Sequence, residues 1–263
     1  MHQALPFVLT IAGLDPSGGA GLNADIKVFA NYALNDFAVA TAITAQNENN
    51  FFSCEWIAES TILAQLQALM ISYTIKYVKI GIIENTRILN NVINKLVEHN
   101  PEVLIVWDPI LRASAGYQFI DPSIGDHQML KNILPKLALI TPNIEEWNIL
   151  SSNIGEEIFD HTNVFIKSFS KNKNIVEDVL RIRKNNAVDG PENRVITHSF
   201  SSEAITMSKH GSGCVLSSAI IAGLAQEWGL LYAIHKARQY TLSFLMSNDT
   251  RLGQHHKFTI ERP

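Results

Sequence analysis

The chain has 263 residues, 46% of them apolar, and a formal charge of −4, so it can form one large or two small domains at a prior of roughly 150 residues each. Its pI near 6.1 leaves no basic surplus to neutralise nucleic-acid phosphates, which argues against nucleic acid as a partner. No run approaches the roughly 20 apolar residues of a membrane helix, MHQALPFVLTIAGLDP carries no basic leader, and Cys54 and Cys214 are isolated from each other; the expectation is a cytoplasmic protein with two free thiols.

Taken in chain order, short β-rich apolar runs alternate with helix-patterned segments, which is the grammar of βαβ units. FVLTIA (7–12) predicts a strand, Gly21 to Tyr32 a helix, and FAVATAIT (37–44) a second strand. TILAQLQALMISYT (61–74) has helical spacing, KYVKIG (76–81) reads as strand, and ENTRILNNVINKLVEHN (84–100) as helix. EVLIVWDP (102–109) is a strand so continuously apolar that both faces must be covered. HQMLKNILPKL (127–137) predicts a helix, LALITPN (137–143) a strand, Ile144 the start of a short helix, and NVFIKSF (163–169) a strand. The polar segment that follows predicts a hairpin or flap at about 168–205, with a helix around Ile175 to Ile182 as the alternative. Two helices close the pattern, Gly213 to Trp228 and about Leu230 to Leu245. The expected fold is a single α/β domain with one mostly parallel, doubly wound sheet, whose ligands sit beyond the carboxyl ends of the strands.

Three loops at strand ends carry the chemistry. Gly13-Leu-Asp-Pro-Ser-Gly18-Gly19-Ala20 has P-loop glycine spacing, but Gly19 and Ala20 stand where Lys and Ser/Thr are needed, so that motif fails. What remains is a glycine-permissive turn with Asp15 and Asp25 as acceptors, equally compatible with a ligand cradle or a sharp strand-to-helix connection. In TPNIEEWNIL, Asn143 and Glu146 fall on one helical face and suit magnesium or phosphate, although a plain capping box is the stronger local reading. In KHGSGCVLSSAIIAGLAQEW, Gly211-Ser212-Gly213 precede an apolar helix whose unpaired N–H groups attract anionic oxygens. Cys214 lies in the first turn, where the helix field favours a thiolate able to accept a proton.

Together TIAGLDPSGGAGLNADIKVF, TAITAQN, KIGI, DPIL, TPNIEE and HGSGCVLSSAIIAGLA resemble, in order and spacing, the hydroxymethylpyrimidine and phosphomethylpyrimidine kinases of thiamine biosynthesis, in the ribokinase-like superfamily. The likeness runs from the first strand to about Leu245 and thins between Leu150 and Lys209. It implies a three-layer α/β/α fold, a homodimer, and transfer of the γ-phosphoryl group of Mg·ATP to a pyrimidine alcohol and then to its monophosphate. By the same resemblance Gln46 reads the pyrimidine, since a carboxamide offers a donor and an acceptor side by side. Gly13 and Ala20 contribute backbone to that pocket, Asp25 an acceptor, and Ile82 an apolar wall where the family commonly has Met. Gly211, Ser212, Gly213 and Cys214 would cradle the transferring phosphoryl group. Asn143, Glu146 and Asp108 would organise Mg²⁺, and Lys167 the ATP phosphates. The chain departs from the family at Ser168-Phe169-Ser170, where Gly-Gly-His is usual, at ASAG (113–116) after Asp108, and at Leu14. A bulky ring after Lys167 counts against ATP binding and keeps a non-catalytic pyrimidine-binding homologue in play, beside a pyridoxal or pyridoxamine kinase.

Overall fold

The computed structural model describes residues 6–111, 119, 127–172, 174–183 and 195–256. Among the described residues nine strands form one sheet, in the order β3-β2-β1-β4-β5-β6-β7-β8-β9. These are β1 (Phe7–Leu14), β2 (Asn35–Gln46), β3 (Phe51–Trp56), β4 (Tyr77–Ile80), β5 (Leu104–Trp107), β6 (Leu139–Ile140), β7 (Asn163–Lys171), β8 (Ile175–Arg183) and β9 (Val195–Glu203). Six of them, β2-β1-β4-β5-β6-β7, pair in parallel. At the two edges β3, β8 and β9 are antiparallel.

The central strands divide their side chains between two cores, as the period-2 geometry of a strand requires. Leu9 and Ile11 of β1, Val78 and Ile80 of β4, Ile105 and Trp107 of β5, and Val164 and Ile166 of β7 enter one core. There they meet α2 (Glu59–Met70), α3 (Thr86–His99), α4 (His127–Ile133), α5 (Ile144–Ile154) and α6 (Ile158–His161). The alternate residues Val8, Tyr77, Val106 and Phe165 enter the other, with α1 (Gly21–Asn31), α7 (Ser212–Ala225) and α8 (Leu230–Leu245). The result is a three-layer α/β/α sandwich. Helix α7 is buried almost all round, because the sheet covers one side and α1 and α8 the rest; its apolar sequence, with no polar face, reflects that position.

The elements depart from expectation in two places. β2 continues to Gln46 and turns through Asn47–Asn50 into β3, which the sequence pattern did not suggest. The second helix ends at Met70 rather than Thr74. The hairpin expected after β7 does form: Ile175–Ile182 is strand, pairing antiparallel with β7 on one side and β9 on the other, and the helical alternative is not taken. The stretch expected as a hairpin or flap thus supplies two strands that extend the main sheet, although 184–194 lies outside the described residues, as does the ASAG turn. Among the described residues no helix is long and apolar enough to cross a membrane.

Candidate active site

The first loop is wound by Asp15. Its carboxylate accepts the backbone N–H of Ser17 and Ala20, each at 2.9 Å, and the Nε2 of His210 at 2.8 Å. Burial opposes the charge, but hydrogen bonds from His210 and Ser17 prevail and hold Asp15 below the ordinary carboxylate range. The loop is thereby tied across the molecule to the residue preceding Gly211. Gly21, at φ +56°, has no room for a Cβ against the Gly13 carbonyl, so the turn requires glycine there.

Asp25 serves a different purpose from the one expected. It is fully buried and accepts from Thr10 at 2.5 Å, Ser218 at 2.6 Å and the Lys79 ammonium at 2.8 Å. These four groups form a closed polar cluster between β1, β4, α1 and α7. Burial works against the Lys79 charge, yet Asp25, followed by Cys214 and Asp108, lifts it above the ordinary lysine value. Asp25 does not line the cavity described below.

At the carboxyl end of β5, buried Asp108 accepts from Lys167 at 2.6 Å, Thr141 at 3.1 Å and Ser217 at 3.2 Å. Lys167 stands on β7, and burial penalises its charge, but Asp108 and then Glu146 raise it overall. Asn143 and Glu146 make the reciprocal capping box: Glu146 N–H donates to Asn143 at 2.9 Å and Asn143 N–H to Glu146 at 2.8 Å. Both also face the cavity, so the cap orients them toward it. Burial pushes the Glu146 carboxyl up to about 7; Lys167 opposes this and Asp108 adds to it.

Gly211 adopts φ +76°, and a Cβ there would run into the Gly19 carbonyl, so the third loop packs directly on the first. No side chain caps α7; the Ser212 N–H turns to the Lys209 carbonyl at 3.4 Å, which leaves those of Gly213 and Cys214 for an anion. The Cβ position of Gly213 lies 3.4 Å from the Lys167 ammonium and 3.9 Å from the Asp108 carboxylate. Cys214 corrects the thiolate expectation. It is only 6% exposed, and burial pushes its thiol up to about 11, with Lys79 giving partial relief. Desolvation outweighs the helix field, and the group is a neutral thiol at physiological pH.

These groups share one cavity of about 440 Å³. Gly13, Ala20, Gln46, Ile82, Asp108, Asn143, Glu146, Lys167, Gly211, Ser212, Gly213 and Cys214 all line it; of the anticipated residues Asp15 and Asp25 do not. Gln46 is held by donating to Thr44 at 2.8 Å, and Thr44 in turn donates to the Leu14 carbonyl at 2.8 Å. Ser168 lines the cavity but Phe169 does not, its ring being 38% exposed, so the bulky substitution leaves the space clear. Sequence reasoning missed Lys79, His210, Phe119 and Arg238, which also face the cavity. Lys79 left one signal, a single charge in a strand covered on both faces.

Residues 15–259 match the family model described as phosphomethylpyrimidine kinase. The chain belongs to the phosphomethylpyrimidine kinase family. It is 32% identical over 269 residues to a hydroxymethylpyrimidine/phosphomethylpyrimidine kinase of Helicobacter pylori, covering 97% of this chain and 95% of that one. The crystal structure of the Clostridium difficile phosphomethylpyrimidine kinase superposes with a TM-score of 0.69 at 29% identity, over 90% of this chain and 98% of that one. A pyridoxal kinase from Staphylococcus aureus, solved with AMP-PCP and pyridoxal, shares the fold at a TM-score of 0.75 and 23% identity, over 93% and 89% of the two chains. Among the described residues, this phosphomethylpyrimidine kinase family member has no group of three or more His, Cys, Asp or Glu able to cage a metal.

Proposed function

We propose that the protein phosphorylates 4-amino-5-hydroxymethyl-2-methylpyrimidine and then its monophosphate from ATP, giving the pyrimidine diphosphate used in thiamine biosynthesis. The observation that carries this reading is the shared cavity: a carboxamide suited to an aminopyrimidine edge at Gln46 opens onto the same space as the uncapped α7 terminus at Cys214. Family membership supplies the reaction class.

On this reading Gln46 orients the ring by complementary hydrogen bonds, Gly13 and Ala20 offer close backbone approach, and Ile82 packs on a face. The α7 N–H groups of Gly213 and Cys214 stabilise charge on the transferring phosphoryl oxygens, and Lys167 holds the ATP phosphates, so catalysis is mostly positioning and electrostatics. Mg²⁺ suits the donor set, because this ion binds through one or two carboxylates plus phosphate oxygens and Glu146 is a buried carboxyl whose ionised form a cation would favour. Asp108 and Glu146 would hold it, directly or through water, and when bound it would neutralise phosphate charge. Cys214 stays neutral and takes no proton: as the hydroxymethyl oxygen bonds to the γ-phosphorus and ADP leaves, the alcohol proton passes to a phosphoryl oxygen, and Cys214 contributes its backbone N–H and a weak S–H donor.

A pyridoxal or pyridoxamine kinase is the second reading, favoured by the fold likeness to a pyridoxal kinase alone. A non-catalytic homologue loses its motive, since Phe169 stays out of the cavity. ADP release measured with the pyrimidine alcohol, its monophosphate and pyridoxal decides among them. Turnover of the first two supports the proposal; preference for pyridoxal, or binding without ADP release, overturns it. We also expect a cytoplasmic homodimer, to be checked by sedimentation of the purified protein.

A further inference from the structure

β7 and β8 stay in register up to Ile166↔Val179 and resume at Ser170↔Glu177, so Lys167, Ser168 and Phe169 bulge opposite the single residue Asp178. At the crest Ser168 has φ +50°, a left-handed conformation that a non-glycine residue keeps only when its surroundings impose it. Asp178 imposes it. One carboxylate oxygen accepts the Ser168 N–H at 2.7 Å, and the other accepts Nε of Arg238 at 2.7 Å. Arg238 reaches over from α8 and also donates to the Phe200 carbonyl at 3.1 Å and the Ser202 hydroxyl at 3.3 Å of β9. Its guanidinium stands 5.4 Å from the Phe200 ring. The Asp178 and Arg238 side chains are 12% and 11% exposed, which shields the pair from screening.

The bulge sets the direction of the residue before it. Lys167 is fixed at its backbone by donating to the Pro142 carbonyl at 2.8 Å and at its ammonium by Asp108 at 2.6 Å. A flat strand would continue the alternation of β7, and the left-handed residue instead turns the chain immediately after Lys167. We propose that Asp178 and Arg238 are positioning residues that hold Ser168 left-handed and so keep the Lys167 ammonium in place for the phosphoryl group. The proposal rests on the kinase reading above.

The test is a rescue by glycine, which adopts positive φ without a brace. Asp178→Ala should lower kcat/KM for ATP about 10- to 100-fold, the scale of a small misplacement near the reacting group, with KM for the pyrimidine unchanged. Ser168→Gly alone should be close to wild type, and Asp178→Ala/Ser168→Gly should recover to within about 3-fold of it. Arg238→Met should show a smaller loss with the same rescue. If Asp178 or Arg238 instead contacted ATP directly, Ser168→Gly would not restore the double variant, and the proposal falls. Equal ATP kinetics in Asp178→Ala and wild type also sink it. Independently of activity, hydrogen exchange at the Ser168 amide should accelerate in Asp178→Ala; unchanged exchange overturns the brace. Should the wild-type chain turn over no pyrimidine, the kinase reading fails while the exchange measurement still decides whether Asp178 holds Ser168. Asp178→Asn, which keeps an acceptor for Ser168 N–H, provides the folded control if the alanine variant does not accumulate.

Discussion

Glu146→Gln separates what the site costs from what it does. The side chain is 5% exposed, and burial raises its carboxyl from the ordinary 4.5 to about 7. Between those values the folded protein binds the Glu146 proton more tightly than the unfolded chain, so this residue makes stability fall as pH rises from about 4.5 to about 7, and level off above. At about 1.4 kcal/mol per pH unit the full penalty is on the order of 3 kcal/mol. Glutamine keeps the capping geometry, because its Oε1 accepts the Asn143 N–H as a capping-box residue does, but it has no charge to bury. The variant should therefore match wild type near pH 4.5 and exceed it by on the order of 3 kcal/mol at pH 8, roughly 5–10 °C in Tm for a chain of this size. Urea unfolding of both proteins at the two pH values reads the difference. Activity should move the other way, with turnover down at least about 10-fold if Glu146 helps hold Mg²⁺. Parallel stability curves would refute the buried-carboxyl argument, and a stabilised variant with full activity would refute the metal role.

Three further expectations follow from the same geometry. Cys214→Ala keeps the backbone N–H and removes only a weak S–H donor, so it should reduce kcat by no more than about 10-fold with little change in KM, and in a Cys54→Ser background the Cys214 thiol should react with iodoacetamide far more slowly at pH 7 than at pH 10; rapid labelling at pH 7 contradicts a neutral thiol. Gln46→Ala should raise KM for the pyrimidine about 10-fold while leaving KM for ATP unchanged, as expected for one or two lost hydrogen bonds; equal effects on both substrates remove Gln46 from the ring pocket. Lys79→Met leaves Asp25 buried without its cation and should cost about 3–5 kcal/mol in chemical denaturation, whereas a large KM effect with unchanged stability would return Asp25 to substrate binding.

The sheet was legible where strands are covered on both faces, because EVLIVW or FVLTIA can satisfy that burial in few other ways. β3 was not: Phe51-Phe52-Ser53-Cys54-Glu55-Trp56 lies at an edge, with Phe52 69% exposed, so its pattern does not report a buried face. The site loops were legible because glycines at strand ends mark where the backbone itself must come close, as Gly21 against Gly13 and Gly211 against Gly19 bear out. The Asp25–Lys79 pair was not, since nothing local in GLNADIKVF or KYVKIG says that two charges 54 residues apart neutralise one another. Cys214 shows the opposite limit. The start of α7 was legible in the sequence, but the desolvation that governs Cys214 depends on how deeply α7 is covered, which only the packed layers determine. At Ser168-Phe169-Ser170 the loss of glycine was visible and its consequence was not, because a bulge aims Phe169 outward and leaves only Ser168 at the cavity.

A neutral thiol at position 214 fits two successive phosphoryl acceptors better than a carboxylate would. Asp108 and Glu146 already place two carboxyl groups beside Lys167, which is paired to Asp108, while Lys79 is committed to Asp25. A third carboxylate would add to the repulsion that already raises Glu146 and would meet the dianionic monophosphate head-on, where unscreened like charges cost most. The thiol adds no charge. On the proposed reading the alcohol proton passes to a phosphoryl oxygen as the new O–P bond forms, and the monophosphate, already ionised, has none to lose, so neither step asks position 214 for a base and an uncharged side chain suits both.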